Sequence, residues 1–275
     1  AKEWAIRMSE NGFAYSTINN YKRSLRASFY IAIQDDYVRK NPFDFQLNTV
    51  IDDDTVPKTI LTLEQEARLL DFAKSDTVYH KNYDEILILL KTGLRISELC
   101  GMTVTDLDFE NHLILVNHQL LRNTELGYYI ETPKTKSSER QVPMVEVTCQ
   151  ALKRVLAVQN QNECVEIDGY SNFLFLNRNG YPKTACDFNS ILRNLIKKYN
   201  KCHEEKLPHI TPHTLRHTFC TNCANAGMNP KALQYIMGHA NITMTLNYYA
   251  HATCNSAMEE MKRLEKEQQA RCLVL

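Results

Sequence analysis

Apolar residues recur at helical spacing along most of the chain and at strand spacing only near its middle. The first clear stripe is "YSTINNYKRSLRASFYIAIQDD", where Ile18, Tyr21, Leu25 and Phe29 fall on one side. Ser16 stands where an N-cap belongs. Lys22, Arg23 and Arg26 lie largely off the stripe, placed to face water or to track a phosphate backbone. "RKNPF" ends this short unit, which has room for about two helices. "QLNTVIDDDTVPKT" is polar, acidic and carries a proline, the composition of a linker.

The pattern then restarts. In "LTLEQEARLLDFAK", Thr62 caps a helix and Gln65 completes a capping box. "YDEILILLKTGLRISELCGM" reads as a buried helix, a turn at Gly93 and a second short helix. "HLILV", "YYIET" and "RQVPM" read as strands, with the polar turn "PKTKSSE" joining the last two as a hairpin. "VTCQALKRVLAVQNQ" is helical, and "NFLFLNRNGYPKT" is a short strand and a turn. Helices follow over "CDFNSILRNLIKKYN", "PHTLRHTFCTNCANAG", "NPKALQYIMG", "TMTLNYYAH" and "NSAMEEMKRLEKEQQ". In the last of these, Ala257, Met258, Met261 and Leu264 share one side. The order predicts a mainly α fold with a small antiparallel β-sheet inserted. It divides into a helical unit over 1–46, a linker over 47–58 and a larger unit over 59–275 that ends in a helix.

At 275 residues and 44% hydrophobic, the chain can bury a large core and a smaller one. No apolar run reaches membrane-spanning length and the start lacks a signal-peptide core, so a soluble, cytoplasmic protein with no membrane partner is expected. The nine cysteines are odd in number and scattered, which fits reduced thiols. Formal net charge is zero, yet between Arg178 and Lys231 nine Lys/Arg stand against three acids. That leaves room for a locally positive surface on a neutral protein.

The stretch "TPHTLRHTFCTNC", residues 211–223, admits two chemistries. His213 and His217 would share a helix face as a metal pair, with Cys220 and Cys223 close behind. No glutamate sits in a zincin position and no second CxxC follows, so the metal reading is weak. His213 and Arg216, three apart, also share a face, with Cys220 one turn on. A planar guanidinium beside an imidazole suits a phosphate. The cysteines then read as core.

"TGLRISEL", "HTLRHTF", "IMGH" and "LNYYAH" occur in that order and at suitable intervals, and "PKTKSSERQVP" is similar to a lysine-bearing β-hairpin. Over roughly residues 58–255 the chain resembles the catalytic domain of the tyrosine recombinase (phage integrase) family. It is most like integrases of Gram-positive phages and conjugative transposons. The unit before the linker resembles the end of that family's core-binding domain. It is shorter than usual and no arm-binding domain precedes it, so a truncated form is expected.

The resemblance implies site-specific cutting and rejoining of DNA strands through a 3′-phosphotyrosine, inserting and excising a mobile element. Arg95, braced by Glu98, and Arg216 would hold the phosphate, and His239 would add a hydrogen bond. Lys134, rather than Lys136, would protonate the leaving 5′-oxygen. His213 would serve as general acid/base. Tyr249 would be the nucleophile, because the ending Tyr-x-His fits it and not Tyr248. The two phenols point about 100° apart if the segment is helical.

No metal or nucleotide cofactor is expected, since arginines replace the metal. The expected partners are double-stranded DNA at element ends and target sites, further copies of the chain in a tetrameric synapse, and DNA-bending or excision proteins. The DNA would be clamped between the two units, with Lys22, Arg23 and Arg26 on phosphates. The tail 256–275 would dock on a neighbouring copy. Competing readings are a type IB topoisomerase-like or hairpin-resolving enzyme, a DNA-binding protein with a decayed site, and a zinc module.

Overall fold

The computed structural model describes residues 1–55, 59–132, 139–158 and 165–249, together with Met261 and Glu265. The chain divides into two compact units, Ala1–Lys58 and Thr59–Leu275.

In the first unit, α1 (Lys2–Glu10) and α2 (Tyr15–Gln34) close on Ala5, Ile18 and Leu47, with Trp4 edge-on to Phe43. Leu47 is buried, and Val50 and Ile51 pack on the same cluster. The head of the segment read as a linker therefore belongs to this small core, because its apolar residues find a surface before the acids begin. Ser16 is not the cap of α2. Ala14 holds that place and no side chain caps the helix. Lys22 also departs from expectation. It is 8% exposed, and its ammonium sits 4.8 Å from the centre of the Phe45 ring. Its long stem is buried while the charge rests on an aromatic face. Arg26 is exposed but pairs with Asp44 at 2.6 Å, whereas Arg23 simply faces water.

The second unit is built around α4 (Tyr83–Thr92). From Ile86 to Leu90 no residue is more than 3% exposed, so this helix has no solvent face along that stretch. It packs against α3 (Leu63–Ser75), α6 (Glu146–Val158) and α8 (Pro212–Asn225). Each such buried Leu or Ile contributes about 1.5–3 kcal/mol, which makes α4 the anchor for what hangs from its end. The Thr62–Gln65 capping box of α3 is present, at 3.2 and 3.1 Å. Helix α4 stops at Gly93, whose φ of +64° is left-handed. A Cβ there would lie 2.3 Å from the Phe219 ring, so the turn needs glycine for shape and for space.

After α5 (Ile96–Gly101) the described residues form five strands: β1 (Leu107–Asp108), β2 (Leu113–Val116), β3 (Gln119–Asn123), β4 (Gly127–Glu131) and β5 (Arg140–Pro143). They form two antiparallel sheets rather than one, β1-β2-β5 and β3-β4. The expected pairing of "YYIET" with "RQVPM" is not what the described residues show. β4 pairs with β3, Gln119 opposite Glu131, and β5 pairs with β2, Val116 opposite Arg140. Strand β3 escaped the sequence pattern because "QLLRN" has no clean alternation. "NFLFLNRNGYPKT" forms isolated bridges, Thr103 to Phe173 and Leu176 to Pro182, in place of a regular strand.

The chain continues through α7 (Ala185–Cys202), α8, α9 (Pro230–Met237) and α10 (Ile242–Leu246). Thr211 caps α8 and Pro212 opens it. Helix α8 is buried on most sides, including Leu215, Arg216, His217, Thr218 and Cys220, which is why its sequence lacks a clear stripe. Cys220 packs with Ala224, Leu233 and Met237, the core role expected of it. Helix α10 is shorter than its sequence suggests and ends before the tyrosine pair. No helix among the described residues is long and apolar enough to cross a membrane. The C-terminal stretch "NSAMEEMKRLEKEQQ", Met261 and Glu265 apart, lies outside the described residues.

Candidate active site

Arg95 is the N-cap of α5, and Glu98 three residues on ties it down twice. Glu98 Oε2 accepts the Arg95 backbone N–H at 2.7 Å, and Oε1 accepts Arg95 Nη1 at 2.7 Å. The other end of the guanidinium donates to the Gly238 carbonyl at 2.8 Å. Glu98 has a second cation. Arg140, 2% exposed, grips it with both terminal nitrogens at 2.9 and 2.8 Å and donates from Nε to the Ile236 carbonyl at 2.7 Å. Burial pushes the Glu98 carboxyl up, but Arg140 and then Arg95 outweigh it and hold it at about 2. It is a carboxylate throughout the working range.

Arg216 reaches the same place from α8. Its Nη1 donates to the Gly93 carbonyl and its Nη2 to the Met237 carbonyl, both at 2.5 Å. Burial, and after it the charge of Arg95, lowers its pKa to about 10, so it stays cationic at neutral pH. Two glycine turns, Gly93 after α4 and Gly238 after α9, thus position both arginines. A Cβ on Gly238, whose φ is +60°, would stand 2.9 Å from Arg140 Nη1. Arg95 and Arg140 pair with one carboxylate, and Arg216 lies close enough for its charge to feel Arg95 and Glu98. That carboxylate answers only one of the three charges, and such an excess is what an anion would relieve.

His239 follows Gly238 directly and is buried. Its Nδ1 meets Thr245 Oγ1 at 2.9 Å, which fixes the orientation of the ring. His213 lies exposed in the first turn of α8, with its ring edge-on to His217 at 4.6 Å between centres. His217 Nδ1 hydrogen-bonds the Tyr248 hydroxyl.

The tyrosines follow α10 in a turn, Tyr248 N–H donating to Thr245 and Tyr249 N–H to Leu246. They point apart without the helix expected for them. Burial pushes the Tyr248 phenol up to about 12, although Arg216 draws it down. Burial also raises the Tyr249 phenol, whose hydroxyl donates to the Met228 carbonyl at 2.5 Å. The structure therefore brings Arg95, Arg216 and His239 together, sets His213 one turn from Arg216, and holds the Tyr249 hydroxyl on a backbone carbonyl away from them. Lys134, like Lys136, lies outside the described residues.

A model of the phage integrase family matches residues 59–256. The chain belongs to that family. It is 76% identical over 274 residues to the transposase from transposon Tn916 of Enterococcus faecalis, covering 100% of this chain and 68% of that protein. It is 28% identical over 244 residues to the tyrosine recombinase XerC of Bacillus licheniformis, covering 89% of this chain and 73% of that one. The integrase of transposon Tn1549, solved with a circular intermediate DNA, superimposes with a TM-score of 0.90 at 64% identity, covering 96% of this chain and 84% of that one. Its complex with transposon right end DNA matches at a TM-score of 0.90 and 63% identity, covering 96% and 84%. This phage integrase is a site-specific tyrosine recombinase.

Arg140 was absent from the candidate residues, and a signal for it existed. In "RQVPM" it shares the inward side with Val142, and a lone cation on the buried face of a strand needs an anionic partner. Thr245, the partner of His239, left no comparable trace.

Proposed function

We propose that this recombinase cuts and rejoins DNA at the ends of a mobile element, with Tyr249 as nucleophile. The convergence of Arg95 and Arg216 on backbone carbonyls beside Glu98 carries the reading. Each guanidinium spends part of its fork on the protein and keeps donors for the two non-bridging oxygens of a phosphodiester. In the cleavage step the Tyr249 oxygen forms a bond to phosphorus and the bond from phosphorus to the 5′-oxygen breaks. The phenolic proton passes to His213, and Lys134 protonates the departing 5′-oxygen. His239 shares the charge on phosphate. The phosphotyrosine is close in energy to the bond it replaces, so the reverse attack reseals a strand without ATP.

Two features support Tyr249 over its neighbour. The Tyr-x-His ending fits it alone. In addition, solved structures of the Tn1549 integrase carry an arginine-to-lysine or a tyrosine-to-phenylalanine change, and those two positions are separated by the same number of residues as Arg95 and Tyr249. The hydroxyl must leave the Met228 carbonyl to reach phosphate. Arg23 and Arg26 on α2 contact the DNA backbone, and four copies assemble on paired sites, with the tail 256–275 of each docked on a neighbour. DNA-bending or excision proteins assist. The test is incubation with nicked end-sequence DNA in EDTA, followed by a denaturing gel. A covalent protein–DNA band is expected from the unaltered protein, and its absence, or its restoration only by added metal, overturns the reading.

A further inference from the structure

Three side chains that recombination leaves unused meet at the far end of the β2–β5 ladder. His112 closes the turn between β1 and β2. It is a non-glycine residue with a left-handed φ of +55°, an arrangement that costs about 1 kcal/mol or more. Asp108 holds the turn behind it, accepting from Asn111 N–H at 2.8 Å and Nδ2 at 2.7 Å. The His112 carbonyl accepts the Met144 N–H at 2.8 Å, which locks the turn to the segment entering α6. On α6, Glu146 and Cys149 are three apart and share a face. His112 Nδ1 lies 3.1 Å from Cys149 Sγ, and ligand atoms of all three residues fall within 4.8 Å of one another.

We propose that His112, Glu146 and Cys149 form a zinc site. An imidazole nitrogen, a thiolate and a carboxylate make a borderline-soft donor set, which suits zinc and does not suit magnesium or calcium. The burial is graded for metal entry. The sulfur forms a floor, with Cys149 1% exposed, while His112 and Glu146 are exposed and make the rim. Gln150 Nε2 donates to Glu146 Oε1 at 3.0 Å, an outer-shell contact that aims the carboxylate and leaves its second oxygen for the ion. With zinc about 2.0–2.1 Å from nitrogen and about 2.3 Å from sulfur, tetrahedral geometry puts those two atoms about 3.6 Å apart. The present pair needs to open by only about half an ångström, as the ion replaces the bridging proton. The fourth position falls to water. Zinc there staples the β1–β2 turn to the first turn of α6. Leu113 and Pro143 pair at this end of the ladder, and Arg140 opposite Val116 closes the other end. The ion thus fixes the strand that carries Arg140 without touching the phosphate site.

The test uses the full chain, stripped by chelator and dialysed, then titrated with zinc against a chromophoric competitor and separately with cobalt. Binding of one equivalent is expected, with a thiolate-to-cobalt charge-transfer band and the intense visible bands of four-coordinate cobalt. His112→Gln and Glu146→Gln change exposed side chains and keep the fold. Each should weaken zinc at least about tenfold, a loss that even outer-shell changes produce. Cys149→Ser should remove the charge-transfer band. Zinc should raise the unfolding temperature of the parent and not that of His112→Gln. Failure of the parent to bind, or binding undiminished in His112→Gln and so attributable to other thiols of the chain, overturns the site.

Discussion

The arginine end and the tyrosine end of the site are built to different standards. Arg95, Arg140 and Arg216 hang from carbonyls at the ends of α4 and α9, with Glu98 bracing the first two, backed by a core helix whose middle is dry. Tyr248 and Tyr249 sit beyond a five-residue helix, held by backbone bonds across a single turn and one hydroxyl bond each. On the proposed reading, the groups that hold a fixed charge pattern around phosphate are locked before DNA arrives. The group proposed to travel to phosphorus is held by contacts that local rearrangement can exchange.

The sharpest break of this comparison is at the hydroxyls. Tyr249→Phe should abolish the covalent protein–DNA band while DNA binding by gel shift survives. Tyr248→Phe should leave cleavage largely intact and cost only its bond to His217. The reverse pattern would move the nucleophile without altering the arginine end.

Next in size is the brace. Glu98→Gln leaves Arg140 buried beside a neutral amide, and losing one partner of a buried pair costs about 3–5 kcal/mol. Chemical denaturation reads that loss, and cleavage should fall with it as Arg95 loosens. The pH dependence has a definite sign. The folded carboxyl is held near 2 against an ordinary 4.5, so its stabilisation is complete above about 4.5 and drains away as pH falls toward 2. Glu98→Gln should flatten the acid limb of the stability curve in that window. A parallel acid limb in the two proteins would show that the pair carries no net stability.

Gly93→Ala comes third. A left-handed alanine costs about 1–2 kcal/mol, and displacing Phe219 adds about 1–3 kcal/mol. The sum is read as a lower denaturation midpoint at unchanged m-value. The smallest effect belongs to the first unit. Arg23→Ala should lower the log–log salt slope of DNA binding by about one unit, whereas Lys22→Ala should act on stability, since that side chain is buried on Phe45. An unchanged slope in Arg23→Ala would remove it from the DNA surface.

The sequence carried the arginine end more fully than the tyrosine end, for a physical reason. Gly93, Arg95 and Glu98 lie within six residues, and a turn glycine, a capping arginine and its i+3 acid act locally. The bonds from Arg216 to Gly93 and from Arg95 to Gly238 span more than a hundred residues, and no periodicity encodes them. Lys22 was misplaced because its amphipathic stem lets a cation occupy a buried position, which a polar label conceals. The strand pairing was misplaced because neighbouring strands in sequence are the default partners, and here β3 intervenes to take β4 for itself.

Gly238 has a consequence in sequence space. It ends α9 in a left-handed turn, lends its carbonyl to Arg95 and leaves clearance for the Arg140 guanidinium. A saturation library at this codon should return glycine almost alone, because asparagine, the usual left-handed substitute, still brings a Cβ into Arg140. Shortening Arg140 would make room but would strip Glu98 of its buried partner. Any route to another residue therefore passes through two separately damaging changes, and the position is walled in by epistasis rather than by the cost of one contact.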